Sequence, residues 1–528
     1  MAQTDPNTCG RIYEIFSDLP SNVIPTVDHG LHLQTIQEKG AFFDRMSQQA
    51  LDYLHGRCLS NGGVITCFAS GNQDMSEQIW VRDNMIALNL LEDHLERDAS
   101  NADQTFSEIK NTLNLWKRFQ KTPVPVRENS QIVREQPSGN AKMAPNPGEP
   151  IATKDGQPVF KDWGVPQDDA VGWRIIAVEK YLNLLKKYGK DESTVQAEFP
   201  DFWKTDAEYL LQKSLQAQWD SNQNLQAIRF PKSKDLWEET GNLPDIALFN
   251  TNALIIRGLN SAARMAEDRN DLGATRAYEK TAKLLRSRTL KEFWDPKRNL
   301  FGAHLPEAST KPRQVDLGVL LGILDTEGDL VSLTSDQVFS TVYENEKAFR
   351  DAFPINQNRN LKESLYIGRY PEDKYDGFGV SLGNPWVIGN FRWSDYYYRI
   401  SKGLRTQSIT ISNLNSGFFN EGLGLNLSLG KTISPGSAEH SAILTAAERK
   451  ADLFVQVVLE SLQNANFQKP TSLDQQKNIF YSLGEQLHRN DTKNTGSQGL
   501  TWNAAAALQM IQSWKELQAT KGQSLSVH

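Results

Sequence analysis

Cysteine is scarce in this sequence, and the N-terminal stretch has no feature that would direct export. The 528 residues contain three cysteines, Cys9, Cys58 and Cys67, and none of them has the CxxC or Cys/His spacing of a metal site. The low, odd count predicts a reducing compartment, although Cys58 and Cys67 could pair across the loop between them. No basic segment followed by an apolar one occurs at the N-terminus, so we expect no secretion signal and a cytoplasmic location.

Long apolar runs and blocks of basic residues are also missing. No apolar run approaches the length of a membrane-spanning helix, which would need about 20 residues. The formal net charge is −7, and no Lys/Arg cluster occurs that would supply the basic surface nucleic-acid phosphates require. We therefore expect neither a membrane nor a nucleic acid as a partner.

Tryptophan is abundant, and much of it occurs in polar segments. The chain has 12 tryptophans, several of them in stretches rich in Arg, Asp, Asn and Gly, namely IWVRDN, KDWGVPQDD, DLWEET, GNPWVIGNFRW and LTWN. This mixture is not typical of a hydrophobic core. In contrast, we expect Trp116 in LNLWKRF and Trp514 in QSWKEL to be core residues.

The hydrophobic pattern is helical along most of the chain. Apolar residues return every three to four positions in about twelve segments, whereas strand-like alternation appears only in short segments such as LQAIRF and LYIGRY. The helical segments begin near residues 42, 85, 106, 170, 199, 250, 275, 315, 335, 390, 438 and 501. They predict an all-α fold in one domain over residues 1–528, with paired helices around a closed barrel. An open solenoid is the alternative, but we find no repeat of fixed period.

One long segment breaks the helical pattern. Between about residues 121 and 161, Pro, Gly, Asn and charged residues dominate. An irregular connection of this length in a compact domain is usually either functional or disordered. Because it runs directly into DWGVPQDD, we expect it to be a loop that borders a functional site.

Three carboxylates surround one tryptophan in DLWEET. Asp235, Glu238 and Glu239 lie beside Trp237, and repulsion among them would keep one carboxyl protonated near neutral pH, as a general acid requires. A solvated acidic start of a helix is the alternative. Hydrolysis of a glycosidic bond needs such an acid and a second carboxylate on the other side of the ring, about 6.5–9.5 Å away in the inverting case. Aromatic faces suit the apolar side of a sugar.

Groups suited to the same chemistry occur in three other parts of the chain. They are Trp80, Arg82 and Asp83 in WVRDN, Arg369 and Trp386 in GRYPED and GNPW, and Glu485 and Trp502 in SLGEQLHRND and LTW. Each of these groups also has an ordinary structural interpretation. The adjacent Arg82 and Asp83 could form a structural salt bridge, and the Gly- and Pro-bounded loops could be plain turns. Glu485 could be one exposed glutamate in a polar loop. WVRDN directly precedes an apolar helix, whose start offers free backbone N–H groups.

Taken in order, these motifs resemble the glucoamylase family of inverting glycoside hydrolases, family 15. The matching segments are WVRD, WGVPQDD, DLWEE, GRYPED, NPW, GEQ and LTW, and they span residues 80 to 502. The resemblance implies an (α/α)6 barrel. It also implies release of β-glucose from the non-reducing ends of α-linked gluco-oligosaccharides, with no metal or organic cofactor.

The resemblance further implies roles for individual residues. Glu238 looks like the general acid and Glu485 like the general base that activates water. The residues that it places at the substrate are Trp80, Arg82, Asp83, Trp163, Asp235, Trp237, Glu239, Arg369, Trp386 and Trp502. In DMSEQIW this chain departs from the family, because Ser76 occupies the position of a tyrosine that lies near the nucleophilic water.

Other functions are compatible with these motifs. The same architecture serves isomaltose- or dextran-type glucosidases and trehalases. A non-catalytic glycan-binding or regulatory relative, similar to the domains in phosphorylase kinase, would not need both carboxylates, and here both are present. A polysaccharide lyase would favour a Tyr/His or Asn/Arg constellation. We expect no starch-binding module beside the barrel, and therefore expect soluble oligosaccharides or glycogen-like material to be the substrate rather than raw starch.

Overall fold

Twelve α-helices make up most of the residues that the structure describes, as the hydrophobic period predicts. A computed structural model of the chain describes residues 36–60, 63–65, 67–69, 78–121, 123–125, 127–128, 131–132, 143–145, 151–153, 157, 159, 167–190, 199, 202–215, 228–234, 236–237, 246–305, 314–326, 328–462 and 478–525. The α-helices in these residues are α1 (Ile36–Arg57), α2 (Val81–Arg97), α3 (Ala102–Lys121), α4 (Asp168–Lys187), α5 (Phe202–Ser214), α6 (Phe249–Glu267), α7 (Leu272–Glu292), α8 (Leu317–Asp325), α9 (Asp336–Ala352), α10 (Val387–Leu404), α11 (Ala438–Leu462) and α12 (Thr501–Leu525).

The helices alternate between an inner and an outer layer. The even-numbered helices contact one another in sequence order, and α12 contacts α2, so that they form a closed inner ring. The odd-numbered helices lie outside this ring and pack on it. This arrangement is the (α/α)6 barrel that the family resemblance implies.

The apolar pattern of each helix accounts for the layer in which it lies. The inner helix α8 is buried at every position from Leu317 to Leu324, because it has neighbours on all sides. The outer helix α7 instead buries one stripe, which consists of residues 275, 278, 281, 282, 285 and 289. Spacings of three and four keep these residues on one helical face, toward the inner ring, and leave the other face to solvent.

Two glycines permit a close contact between inner helices α4 and α6. A Cβ atom on Gly172 would lie 2.6 Å from the carbonyl oxygen of Leu254, and one on Gly258 would lie 3.0 Å from the Cα atom of Gly172. Only glycine allows two backbones to approach this closely. A larger residue at either position would push the two helices apart.

Short strands connect the helices. They are β1 (Cys67–Ala69), β2 (Gln78–Trp80), β3 (Pro123–Pro125), β4 (Arg127–Glu128), β5 (Gln131–Ile132), β6 (Met143–Pro145), β7 (Ile151–Thr153), β8 (Trp294–Asp295), β9 (Leu300–Phe301), β10 (Ile409–Thr410), β11 (Thr432–Ile433), β12 (Gly484–Leu487) and β13 (Asn494–Leu500). None of these strands lies in the described residues of LQAIRF and LYIGRY, which are 228–230 and 365–370. Most of the strands have two or three residues, which is too short to show an alternating pattern.

The long segment between residues 121 and 161 is not uniformly irregular. It contains β3 to β7, of which β3 pairs with β6 and β4 with β5. Strand β7 pairs with β2, with Ile151 opposite Trp80. Because Trp80 directly precedes α2, this pairing brings the end of the segment to the start of an inner helix.

Two buried tryptophans join the layers of the barrel. Trp116 of α3 and Trp514 of α12 are both buried, which confirms that they are core residues. The Trp116 indole donates a hydrogen bond to Asn84 of α2, and Trp514 packs edge-on against Phe43 of α1. Each indole therefore fixes an outer helix to an inner one.

Cys58 carries a free thiol and is therefore not paired with Cys67. Burial raises the pKa of the Cys58 thiol, so it stays protonated and weakly nucleophilic.

Among the described helices, none combines the length and the apolar character that a membrane crossing requires.

Candidate active site

Site residues gather at the N-terminal ends of the inner helices. At α2, Trp80 precedes the helix, and Arg82 and Asp83 lie in its first turn. Asp169 lies in the first turn of α4, and Trp502 lies in that of α12. Asp316 caps α8, and Trp386 precedes α10. Helix N-termini present unpaired backbone N–H groups and the positive end of the helix dipole. These ends therefore favour the acidic side chains found there.

Arg82 links α2 and α4 to the segment that carries the candidate acid. Its Nε donates to Oδ2 of Asp169 at 2.6 Å, and its Nη2 donates to Oδ1 at 3.2 Å. Its Nη1 donates to the carbonyl oxygen of Leu236 at 2.9 Å. Leu236 is two residues before Glu238. The ion pair of this motif is thus formed with a residue of another helix, and not with the adjacent Asp83.

The tryptophan of DLWEET is fixed to α8. Trp237 is buried, and its indole Nε1 donates to Oδ1 of Asp316 at 2.9 Å. The same carboxylate accepts a hydrogen bond from the backbone N–H of Gly318 at 2.6 Å and so caps α8.

Four of the predicted site residues, and the departure at Ser76, lie outside the described residues; the four are Trp163, Asp235, Glu238 and Glu239.

Three of the predicted tryptophans form one aromatic cluster. The Trp237 ring centroid lies 5.6 Å from that of Trp386 and 6.3 Å from that of Trp502. The guanidinium carbon of Arg369 lies 5.1 Å from the Trp386 centroid and 5.5 Å from the Trp237 centroid. An aromatic surface beside a cation can bind both the apolar face and the hydroxyl groups of a sugar.

Arg369 is held by an acidic residue of its own motif. Its Nε donates to Oδ2 of Asp373 at 2.7 Å, and its Nη2 donates to Oδ1. The exposed fractions of the two side chains are 4% and 0%. A buried pair with two parallel hydrogen bonds fixes the plane of the guanidinium group. Arg369 is therefore oriented before any ligand binds.

Glu485 lies in a strand, and its prediction as part of a polar loop was wrong. It is the second residue of β12 and is only 4% exposed. Opposite it, the register between β12 and β13 shifts by one residue, so that Gly496 and Ser497 together face Glu485. This is a β-bulge, and such bulges can redirect a side chain toward a site. The polar residues around Glu485 gave no apolar alternation from which to predict the strand.

Burial controls the protonation of two carboxyl groups in the site. It raises the pKa of Glu485 to about 7, and the charge of Asp83 contributes to the rise, while Arg369 and hydrogen bonds from Ser497 N–H and the Tyr375 hydroxyl oppose it. Burial also raises the pKa of Asp83 to about 6, against the effect of Arg82. Asp83 is therefore close enough to Glu485 for its charge to act on that carboxyl. A carboxyl that titrates near neutrality is suited to general base catalysis.

Four residues contribute to this site that sequence reasoning left without a role: Asp169, Asp316, Asp373 and Tyr375. Asp169 and Asp373 belong to the quoted motifs WGVPQDD and GRYPED, so those motifs contained a usable signal. Asp316 and Tyr375 act on partners 79 and 110 residues away, and nothing local indicates such contacts. Within the described parts of the chain, no group of three or more His, Cys, Asp or Glu is arranged to hold a metal ion.

The chain is similar to known proteins over most of its length. The model of the family described as "Glycosyl hydrolases family 15" matches residues 69–512. A glucoamylase of Blastobotrys adeninivorans is 27% identical over 394 residues, which cover 71% of this chain and 57% of that protein, so the chain spans little more than half of that relative's length. A probable glucoamylase of Schizosaccharomyces pombe is 26% identical over 490 residues, or 90% of each chain.

A solved structure has the same fold. It is a glucoamylase from Saccharomycopsis fibuligera, which superposes with a TM-score of 0.72 at 23% identity and covers 94% of this chain and 99% of that one. At this level of identity the likeness shows the fold. It confirms the all-α (α/α)6 barrel.

Proposed function

The chain belongs to glycosyl hydrolases family 15, and from this premise we propose that it is an inverting, exo-acting glycoside hydrolase. Its proposed reaction releases β-D-glucose from the non-reducing ends of α-linked gluco-oligosaccharides. One observation carries the proposal: the buried carboxyl of Glu485, with a pKa raised to about 7, shares a site with the aromatic cluster and with Arg369. This combination supplies a base beside a surface that can bind a sugar.

An inverting reaction needs an acid and a base on opposite sides of the glycosidic bond. We assign the base to Glu485, which takes a proton from water as the water attacks the anomeric carbon. We assign the acid to Glu238, which donates a proton to the leaving oxygen. The two residues just before Glu238 are held by hydrogen bonds. Leu236 accepts one from Arg82, and Trp237 donates one to Asp316.

The remaining groups are assigned to the terminal glucose unit. Arg82, Asp83 and Arg369 offer charged partners for its hydroxyl groups, and charge-assisted hydrogen bonds of this kind are short and directional. The tryptophans of the cluster offer aromatic faces. For the other five residues the proposal rests on the motifs alone: Trp80 and Trp163 at the pocket lining, Asp235 as support for the acid, Glu239 at the next sugar, and Glu238 itself.

A cytoplasmic location is also proposed. Three cysteines in 528 residues and the free thiol of Cys58 support it, because disulfides accumulate in oxidising compartments. Separation of cells into soluble, membrane and secreted fractions, with detection of the native chain, tests this assignment. Recovery in the secreted fraction would contradict it.

Proton NMR of the first minutes of reaction tests the hydrolysis. The protein is incubated separately with maltotriose, isomaltose and trehalose, beside the variants Glu238→Gln and Glu485→Gln. Early β-glucose from one substrate, lost in both variants, is expected and identifies the linkage. Glu439→Gln serves as control, because this side chain is exposed at the surface. Early α-glucose would contradict inversion, and release of no glucose from any of the three would contradict the proposed activity.

A further inference from the structure

We propose that Tyr375 is a positioning residue for the general base, and that its phenol holds the Glu485 carboxylate in place by a hydrogen bond and lowers its affinity for protons. This inference rests on the base role proposed for Glu485. It goes beyond that role because it assigns a function to a residue of the loop between Arg369 and Trp386 that is not among the site residues predicted from the motifs.

The phenol faces two alternative acceptors. Its oxygen lies 3.2 Å from Oε2 of Glu485 and 3.3 Å from the carbonyl oxygen of Gly377. With one proton, it can donate to only one of them at a time. An ionised carboxylate is the stronger acceptor, so the phenol donates to Glu485 before catalysis. Once Glu485 has taken the proton from water, Gly377 becomes the competing acceptor, and the phenol keeps its own proton throughout.

The residues that orient Arg369 also orient the phenol. The backbone N–H of Tyr375 donates to Oδ1 of Asp373 at 2.8 Å, and the same carboxylate holds Arg369. The guanidinium carbon of Arg369 lies 5.1 Å from the centroid of the Tyr375 ring. The cation assigned to the substrate and the hydroxyl assigned to the base therefore share one support.

Backbone packing sets the distance between the loop that carries the phenol and the strand that carries the base. A Cβ atom on Gly377 would lie 2.6 Å from the Cα atom of Gly496, so the two backbones are in direct contact. Asn384 Nδ2 donates to Oε1 of Gln486 at 3.0 Å and closes the loop against β12. The packing of the two backbones therefore sets the distance between the Tyr375 phenol and the Glu485 carboxylate.

The phenol remains a donor over the whole working pH range. Burial and the nearby charge of Glu485 raise the pKa of Tyr375 well above its usual value. A protonated phenol beside a carboxylate stabilises the ionised form of that carboxylate. Its removal is therefore expected to make Glu485 easier to protonate.

The direct test is the pH profile of Tyr375→Phe. This change removes the hydroxyl and keeps the ring. Loss of one hydrogen bond to a charged group is expected to move the acid limb of kcat/KM up by about one pH unit. Below the limb kcat should fall about tenfold and recover at higher pH, with KM within about twofold of wild type. Tyr343→Phe, which removes a phenol from outer helix α9, is the matched control and should leave the limb unchanged.

A second variant and a second readout make the result independent of folding and of turnover. Tyr375 replaced by 3,5-difluorotyrosine carries a more acidic phenol, a stronger donor, and should move the limb down. The ionisation of Glu485 can also be followed by the infrared carboxyl absorbance that Glu485→Gln abolishes. If Tyr375→Phe raises that titration in a protein that releases no glucose, the hydrolysis proposal fails and the coupling stands. If neither limb nor titration moves, or activity falls equally at every pH, the inference is overturned.

Discussion

Gly496 faces Glu485 so closely that a Cβ atom at position 496 would lie 2.8 Å from Oε2 of the carboxylate. Its backbone has a φ of +77°, as expected for the glycine of a β-bulge. Two requirements, a left-handed backbone and no side chain, therefore coincide beside the proposed base. The glycine leaves the space in which the carboxylate lies.

Gly496→Ala is expected to displace the Glu485 carboxylate. A shift of about 1 Å in a catalytic group can cost on the order of 10²-fold in rate, so kcat on the substrate identified by NMR should fall by about that factor. Gly430→Ala is the matched control, because Gly430 has a φ of +76° and no atom within 4 Å of the added Cβ. Both variants place alanine at a positive φ and therefore strain the backbone, but only the alanine at position 496 contacts Glu485. Equal losses of activity would contradict the steric explanation.

The activity should depend on the ionisation of Glu485. A general base must be unprotonated, and the pKa of Glu485 is raised to about 7. Below this pH, kcat/KM is expected to fall about tenfold per pH unit. Asp83→Asn should move the acid limb to lower pH, because the charge of Asp83 helps to raise the pKa of Glu485. A wild-type limb near the ordinary glutamate value of 4.5 would contradict this assignment.

Glu485 should also destabilise the folded protein at alkaline pH. Its pKa rises from 4.5 to about 7 on folding, so between these values the folded state binds more protons than the unfolded state. Stability therefore falls as pH rises through this window, by about 3 kcal/mol in total. Glu485→Gln avoids this cost, and its gain over wild type in denaturant unfolding should be larger at pH 8 than at pH 4 by about that amount. A gain independent of pH would show that the carboxyl does not titrate as stated.

Asp169→Asn should weaken both the fold and the site. The carboxylate pairs with Arg82, and the two side chains are 1% and 4% exposed, so its loss leaves a buried cation without its partner. Removal of one member of a buried pair costs about 3–5 kcal/mol. Activity should fall as well, because Arg82 holds the carbonyl of Leu236. Glu439→Gln breaks a pair whose side chains are each 44% exposed and should leave the stability almost unchanged, because solvent screens such a pair.

Helix prediction succeeded where the pattern is local and long. The segment predicted to begin near residue 438 is α11, which begins at Ala438. The inner helices were equally clear, because burial on all sides leaves continuous apolar runs such as that of α8. The strands escaped prediction because most have two or three residues, too few for an alternating pattern.

The residues of the candidate site likewise divide into those that the sequence predicted and those that it did not. Arg82, Trp237, Arg369, Trp386, Glu485 and Trp502 came from short motifs, and the structure brings all six together. Two of the partners that orient them, Asp316 and Tyr375, lie outside those motifs. Tyr375 and Asp316 are ordinary residues in the sequence and gain their roles from contacts across 110 and 79 positions.

By itself, the sequence determined the helices and the identity of the motifs, because a 3.6-residue period and a run of adjacent residue types are properties of short stretches of chain. The tertiary structure decided the rest: that Arg82 pairs with Asp169, that a bulge turns Glu485 into the site, and that a phenol meets its carboxylate. Each of these depends on distances between segments far apart in the chain. Such distances are set by the packing of the inner helices around a closed ring, which no local pattern records.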